Sequence, residues 1–259
     1  GVLEFSDLLK RPLDAFRYLQ ITLETGQVSL SQQTVFTNVV MLGSANDIHM
    51  RAFREHPEYA SFRGRLELMP VPYLRSYLEE EEIYESQIVP QLRKHVAPHA
   101  IRVAAEFAVL TRMRPPEMKR YDGKLAEIAK DLTALEKLVI YAEGEPPTRL
   151  TNEERKVLRA NILAIYEDSI SEPDYEGSFG ASPRVMRVLL LDAAQSHGHG
   201  CLSPFAVLEQ FAALRQRVAE FDWLQLKPLS GGYHDYEAFE GIVRERLLDR
   251  VERDLRTAS

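Results

Sequence analysis

Apolar positions recur at two different periods along this chain. In the first third they gather into short runs, Val2–Phe5, Val39–Leu42 and Leu66–Val71, each closing near polar or Gly/Pro turn signals, and these read as β-strands. Pro12–Leu23 and Ile48–His56 between them read as helices, and strands alternating with helices predict parallel βαβ units. From Tyr73 onward the period becomes helical. Tyr73–Lys94 predicts a helix whose acidic run Glu79–Glu82 is a solvated face, and the strongly apolar Ile101–Met113 predicts a buried one. Gly123–Ala142 is amphipathic, with Leu125, Ile128, Leu132, Leu135 and Leu138 at helical spacing. Thr151 and Glu154 form a capping-box pattern ahead of Val157–Tyr166. Ser182-Pro183 and Ser203-Pro204 each place a hydroxyl at N-cap and proline at the first helical position. Tyr236–Leu255 predicts a final helix, highly charged on one face. The expected fold is mainly α with a small α/β portion: a partial parallel sheet of three strands over residues 1–72, then helices.

Composition narrows the classes. The 259 residues are 45% hydrophobic and 27% charged, ordinary for a globular protein. No apolar run approaches the ~18 residues that span a bilayer, so no membrane partner is expected. A single cysteine, Cys201, excludes an internal disulfide framework and fits a reducing, cytoplasmic setting. The net charge of -7 argues against a nucleic-acid reader, which needs a basic surface, but leaves room for a local arginine-rich nucleotide site. The chain opens on Gly1 and passes at once into an apolar strand, which predicts a piece of a longer polypeptide. Three strands alone leave an open edge, so further strands upstream are expected.

Three segments carry candidate chemistry. Val39–Leu42 runs into Gly43-Ser44-Ala45-Asn46, which puts Asn46 at the carboxyl end of a parallel strand, where open α/β sheets bind ligands. An asparagine there can orient a water or touch a terminal phosphate; it can equally form a turn. Arg63-Gly64-Arg65 precedes an apolar run, and guanidinium groups suit developing phosphoryl charge, although surface salt bridges use the same residues. Arg184 falls near the second position of the helix begun by Ser182-Pro183, where the macrodipole disfavours a cation unless it reaches an anion. His197-Gly198-His199-Gly200-Cys201 holds three potential metal ligands, but its spacing matches no established zinc pattern and it reads as a connector. His95 and His99 read as packing or capping residues, and no Gly-x-Ser-x-Gly elbow is present.

In order and spacing these segments resemble an AAA+ ATPase from its Walker B strand onward. Gly1–Lys10 is similar to the Walker B strand and its exit, and Ser44-Ala45-Asn46 to sensor 1. Phe62-Arg63-Gly64-Arg65-Leu66 resembles the arginine-finger region, with Arg65 the better match and Arg63 next. Gly180-Ala181-Ser182-Pro183-Arg184 resembles the sensor 2 motif of the helical lid as written in MoxR-type ATPases. The closer resemblance is to PrkA-type serine protein kinases. It rests on Leu3-Glu4-Phe5 through Pro12, Phe53-Arg54-Glu55-His56-Pro57 through Phe62, and Val71-Pro72-Tyr73-Leu74-Arg75. His95-Val96-Ala97-Pro98-His99-Ala100 and Tyr175-Glu176-Gly177 add to it, so that most of the chain is covered.

The resemblance implies an ATP- and Mg²⁺-dependent module: residues 1–72 as the end of an AAA+ core, 73–228 as a helical lid with an insertion, and 229–259 as the start of a C-terminal kinase-like region. It implies Asp7, Asn46 and Arg65 as catalytic residues, Arg184, Asn46 and Arg63 as nucleotide contacts, and Asp7 and Glu4 as metal ligands. It also implies a nucleotide held between core and lid, a neighbouring subunit's Arg65 completing the site, a homo-oligomeric ring and a protein substrate. Two departures stand against this. Where a usual Walker B strand ends in Asp-Glu, this chain has Ser6-Asp7, and no Gly-x-x-x-x-Gly-Lys-Ser/Thr occurs. Without that cradle the chain alone is expected to bind ATP weakly or not at all. No His-Arg-Asp or Asp-Phe-Gly is present either, so a eukaryotic-type kinase site is not expected. A MoxR-like remodelling chaperone and a regulatory helical module with vestigial ATPase features are the alternatives.

Overall fold

The computed structural model describes residues 1–10, 21–57, 59–167, 175–196 and 200–258, which fall into two compact units, Gly1–Met69 and Pro70–Ser259. In the first unit, strand β1 (Val2–Phe5) pairs in parallel with β4 (Val40–Gly43), Val2 opposite Val40 and Phe5 opposite Gly43. A second, antiparallel pair joins β2 (Gln27–Ser29) to β3 (Thr34–Phe36). That hairpin is not predicted above, because Gln27–Phe36 lacks a sustained apolar alternation. The expected third strand, Leu66–Val71, is not a strand. Pro70 and Pro72 remove ladder donors there, and Met69 and Val71 stay 76% and 85% exposed. Of the expected helix Pro12–Leu23, the part up to Gln20 lies outside the described residues, and Ile21–Thr25 is helical. Helix α1 (Asp47–Arg54) follows β4, and the short α2 (Tyr59–Arg63) follows it. Among the described residues Leu8 and Phe53 form a small core in this unit, with Phe5, Leu9, Met50, Tyr59 and Leu66 against them.

The second unit is helical and built on α4 (Ala100–Arg112), every residue of which is buried except Arg102. Around it pack α3 (Tyr77–Gln87), α6 (Ala134–Glu143), α9 (Pro183–Gln195), α10 (Pro204–Leu214) and α11 (Tyr236–Ala258). A helix surrounded on all sides has to be largely apolar, and the Ile101–Met113 run is so except at Arg102, Glu106, Thr111 and Arg112. Its stacked Phe107 and Phe211 rings, 3.9 Å apart, fix the α4–α10 contact. A smaller core of Tyr121, Ile128, Leu132, Leu158 and Ile165 lies under α5 (Gly123–Lys130), α7 (Asn152–Ala160) and α8 (Ile162–Glu167).

The amphipathic stretch Gly123–Ala142 is two helices rather than one. Thr133 caps α6 with a complete capping box, accepting from the Glu136 N–H while Glu136 accepts from the Thr133 N–H, and this ends α5 and restarts the chain. The box at Thr151–Glu154 is likewise formed, as are the Ser182 and Ser203 caps ahead of Pro183 and Pro204. The acidic run Glu79–Glu82 is not a uniformly solvated face: Glu80 is fully buried. Among the described residues no helix is long and apolar enough to cross a membrane.

Candidate functional site

The loop leading into α9 is the best-defined candidate. Gly180 has φ +115°, and a Cβ there would lie 2.7 Å from Arg112 Cγ and 2.8 Å from the Thr111 carbonyl oxygen, so only glycine fits. One residue on, the Ala181 N–H donates to Thr111 Oγ1 at 2.8 Å, and the Ala181 carbonyl accepts from Arg112 Nε and Nη2 at 3.0 and 2.7 Å. Ser182 Oγ accepts from the Val185 N–H at 3.3 Å and starts the helix. Arg184 sits on the first turn of α9, exposed, and among the described residues it makes no hydrogen bond or ion pair. Two consecutive positions, Gly180 and Ala181, are thus held against the buried helix α4, Ser182 caps α9, and the arginine that follows is left to solvent.

The clamp is itself a buried ion pair. Arg112 meets Glu80 through two parallel bonds, Nη1 to Oε2 at 2.8 Å and Nη2 to Oε1 at 2.7 Å, and Nη1 also donates to the Leu74 carbonyl at 2.8 Å. Such fork-to-fork geometry suits burial, because it satisfies both charges at once. Tyr84 donates its hydroxyl to the same carboxylate, and burial together with the Glu80 charge holds that phenol well above its ordinary range. A second buried carboxylate, Glu176, accepts from Lys137 Nζ at 2.5 Å, from the Arg114 N–H at 2.8 Å and from the Tyr141 hydroxyl at 3.0 Å. Arg75 lies 3.7 Å from its other side. The Tyr73 N–H donates to the Gly177 carbonyl at 2.9 Å, and the Gly177 N–H donates to the Arg112 carbonyl at 3.2 Å. The segments around Tyr73–Arg75 and Tyr175–Gly177, a hundred residues apart, are therefore tied to each other and to the Arg112 end of α4.

Sequence reasoning missed Glu80, Arg112, Lys137 and the pairing of Arg75 with Glu176. One signal was present for Glu80, which shares a helical stripe with Tyr77, Tyr84 and Ile88. Another was the charged Glu106 and Arg112 inside an otherwise apolar run, since buried charges require partners.

The other sequence candidates lie in the first unit. Asn46 is the N-cap of α1, its Oδ1 accepting from the Ile48 N–H at 3.3 Å. Asp7, at φ +53°, donates its backbone N–H to Ser44 Oγ at 3.3 Å, and its Oδ2 accepts from Lys10 Nζ at 2.7 Å. The neighbouring Leu8 N–H reaches the Ser44 carbonyl at 2.8 Å, so the turns after β1 and β4 sit together at the carboxyl ends of two paired parallel strands. Glu4 is within β1, exposed, opposite Leu42. Arg63 ends α2 and is exposed. Arg65 pairs with Glu24, and its Nη1 donates to the Ser61 carbonyl and hydroxyl at 2.6 and 2.7 Å. Among the described residues no group of three or more His, Cys, Asp or Glu could hold a metal ion. His197 and His199 lie outside the described residues.

Two family models match this chain: the PrkA AAA domain over residues 1–120 and the PrkA serine protein kinase C-terminal domain over residues 135–259. The second match begins upstream of residue 229, where the sequence places the start of a C-terminal region, and takes in Arg184. Among curated proteins the chain is similar to the ATP-dependent protease PrkA of Bacillus subtilis strain 168, 29% identical over 139 residues, which are 49% of this chain and 22% of that protein. It is also similar to the serine/threonine kinase YeaG of Escherichia coli K12, 25% identical over 135 residues, 48% of this chain and 21% of that protein. The matched stretch thus spans about a fifth of the length of either relative. No solved structure matches the chain.

Proposed function

The chain belongs to the PrkA family, and from that premise we propose that it is the sensing and lid section of an ATP-driven module in a longer serine protein kinase. The observation that carries this reading is Arg184, a cation on the first turn of a helix, exposed, without a partner among the described residues, and following a loop clamped to α4. A helix N-terminus repels a cation by a few tenths of a kcal/mol or more, and a phosphate brought there would reverse that sign. Its rigid mounting limits the entropy lost when it engages an anion.

In this proposal Asn46 orients the attacking water or touches the terminal phosphate, exchanging its capping bond for that contact. Arg63 supports nucleotide binding, and Arg65 reaches the site of a neighbouring subunit in a ring, leaving Glu24 to do so. Asp7 is the carboxylate offered to a magnesium ion arriving with ATP, with Glu4 as a second oxygen donor; magnesium commonly takes only one or two protein carboxylates. The ion would supply neutralisation of phosphate charge. Asp7 then has to release Lys10, an exposed pair that costs at most about 1 kcal/mol to open. The setting of such a module is the cytoplasm and its substrate a protein.

A second reading is a regulatory helical module whose ATPase features are vestigial. It is favoured by the engagement of Asn46, Asp7 and Arg65 with local partners. The two readings separate in an assay of ATP hydrolysis on the protein extended upstream of Gly1. The ATPase reading expects turnover that falls at least about tenfold in Arg184→Ala and in Asn46→Ala, the loss typical of one removed transition-state contact. Absence of turnover in the wild type, or wild-type turnover in both variants, selects the regulatory module. Transfer of labelled phosphate to a protein serine tests the kinase activity separately.

A further inference from the structure

Helix α11 turns three arginines, Arg246, Arg250 and Arg253, to one side at the i, i+4, i+7 spacing of a helical face. Its neighbouring stripe, Phe239, Val243 and Leu247, is buried in the core and fixes the helix in rotation. The arginine face lines a cavity of about 490 Å³ together with Tyr77, His99 and Arg102, a volume within the range of small-ligand sites. Four guanidinium groups meet there in a chain whose net charge is -7.

Their partners leave donors over. Glu106, fully buried on α4, accepts from Arg246 Nε at 2.9 Å and from both Arg250 Nη groups at 2.6 and 3.0 Å, so a single carboxylate faces two cations. Among the described residues Arg250 Nε is buried with no acceptor. Arg253 donates from Nε to the Asp249 carbonyl at 3.2 Å, and among the described residues its Nη groups have no acceptor. Arg102 pairs with Glu81, and His99 Nε2 lies 2.7 Å from Asp254 Oδ2. The carboxylates on the cavity wall are Asp254 and Glu143; Glu143 receives the Tyr77 hydroxyl and lies 3.3 Å from Arg246 Nη2. Each guanidinium carries five N–H donors in a fork that matches phosphate oxygens, and a phosphomonoester brings close to two negative charges with three acceptor oxygens.

We propose that the arginine-lined cavity on α11 is a binding site for a dianionic phosphate group, held by Arg253 and Arg102 beside the Glu106-bound Arg250. It uses none of the residues of the nucleotide reading and stands or falls without it. The dianion takes up the unused Arg253 Nη donors and displaces Asp254 from His99. The bearer of the phosphate is a phosphorylated serine in a peptide or a free phosphate, and the two are separable by experiment.

The test is calorimetric titration of the 259-residue chain at low salt with a phosphoserine peptide, its unphosphorylated form and inorganic phosphate. The phosphoserine peptide is expected to bind and the unphosphorylated one not. Arg253→Gln should weaken binding at least about tenfold, as expected for loss of a charge-assisted bidentate contact. Among the described residues the Arg253 side chain bonds only its own helix, so the variant keeps its melting temperature, and Arg256→Gln, off the cavity wall and already paired with Glu252, should bind as the parent does. Inorganic phosphate binding as tightly as the peptide assigns the site to the free ion, and tighter peptide binding assigns it to a phosphoprotein. No binding of either phosphate probe at millimolar concentration overturns the proposal, as does an affinity unchanged by both Arg253→Gln and Arg102→Gln.

Discussion

Within Gly1–Met69 the charged candidates lie at the surface on ordinary partners, Asp7 with Lys10 and Arg65 with Glu24 and Ser61. Within Pro70–Ser259 the corresponding groups lie inside: Glu80 with Arg112, Glu176 with Lys137 and Arg75, Glu106 under Arg246 and Arg250. An exposed pair gains little, because water solvates each partner when they part. A buried one has no such alternative, so its geometry is held by the cost of leaving a charge alone. The same contrast runs through the apolar residues: among those described, two are buried in the core of the first unit, against a continuous buried core around α4 in the second. Rigidity is therefore concentrated around α4, and of the six sequence candidates only Arg184 follows a loop fastened to that helix.

The contrast breaks most visibly at Arg112. Arg112→Ala leaves Glu80 buried without its cation and should cost about 3–5 kcal/mol in urea unfolding; a cost like that of a surface residue would remove the buried clamp from the account. Gly180→Ala is expected next, at about 1–3 kcal/mol, because φ +115° and the Thr111 and Arg112 contacts oppose any Cβ. Thr133→Ala, which dismantles the capping box between α5 and α6, should lose about 1 kcal/mol by the same measurement.

A smaller effect is expected from pH. Burial, and after it the nearby Arg114 charge, lowers the pKa of His234 from its ordinary 6.5. The unfolded chain then takes up the proton first, so stability should decline as pH falls below 6.5 and level off below the folded-state value. His234→Asn, which tolerates the positive φ, should flatten that slope in unfolding curves recorded from pH 7 to 5. Arg65→Ala closes the series at no more than about 1 kcal/mol, and a loss matching that of Arg112→Ala would erase the difference between the units.

Much of the helical unit is legible in the sequence, because its signals are local: the Ser182-Pro183 and Ser203-Pro204 caps, the Thr151–Glu154 box and the apolar run at Ile101–Met113 each specify a boundary or a buried face within a few residues. The interruption at Thr133 was also local, a second capping box hidden by the apolar stripe that continues across it. In the first unit, β1 and β4 follow from short apolar runs, whereas Leu66–Val71 has the apolar content of a strand but prolines that cannot donate to a ladder. The buried pairs were not legible, since nothing adjacent to Glu80 names Arg112, and nothing adjacent to Glu176 names Lys137. The Tyr73–Arg75 and Tyr175–Gly177 segments lie a hundred residues apart in sequence, and their hydrogen bonds explain why they belong together.

In the proposed function a buried clamp presents Arg184 to a nucleotide phosphate. This is tested most directly by titrating a fluorescent ATP analogue into the protein extended upstream of Gly1, comparing wild type with Arg184→Ala. An exposed side chain without a partner contributes within about 0.5 kcal/mol to stability, so the variant should melt as the wild type does. Its nucleotide affinity should nevertheless fall at least about tenfold, the scale of one charge-assisted contact. Equal affinities at equal melting temperatures would remove Arg184 from the nucleotide site.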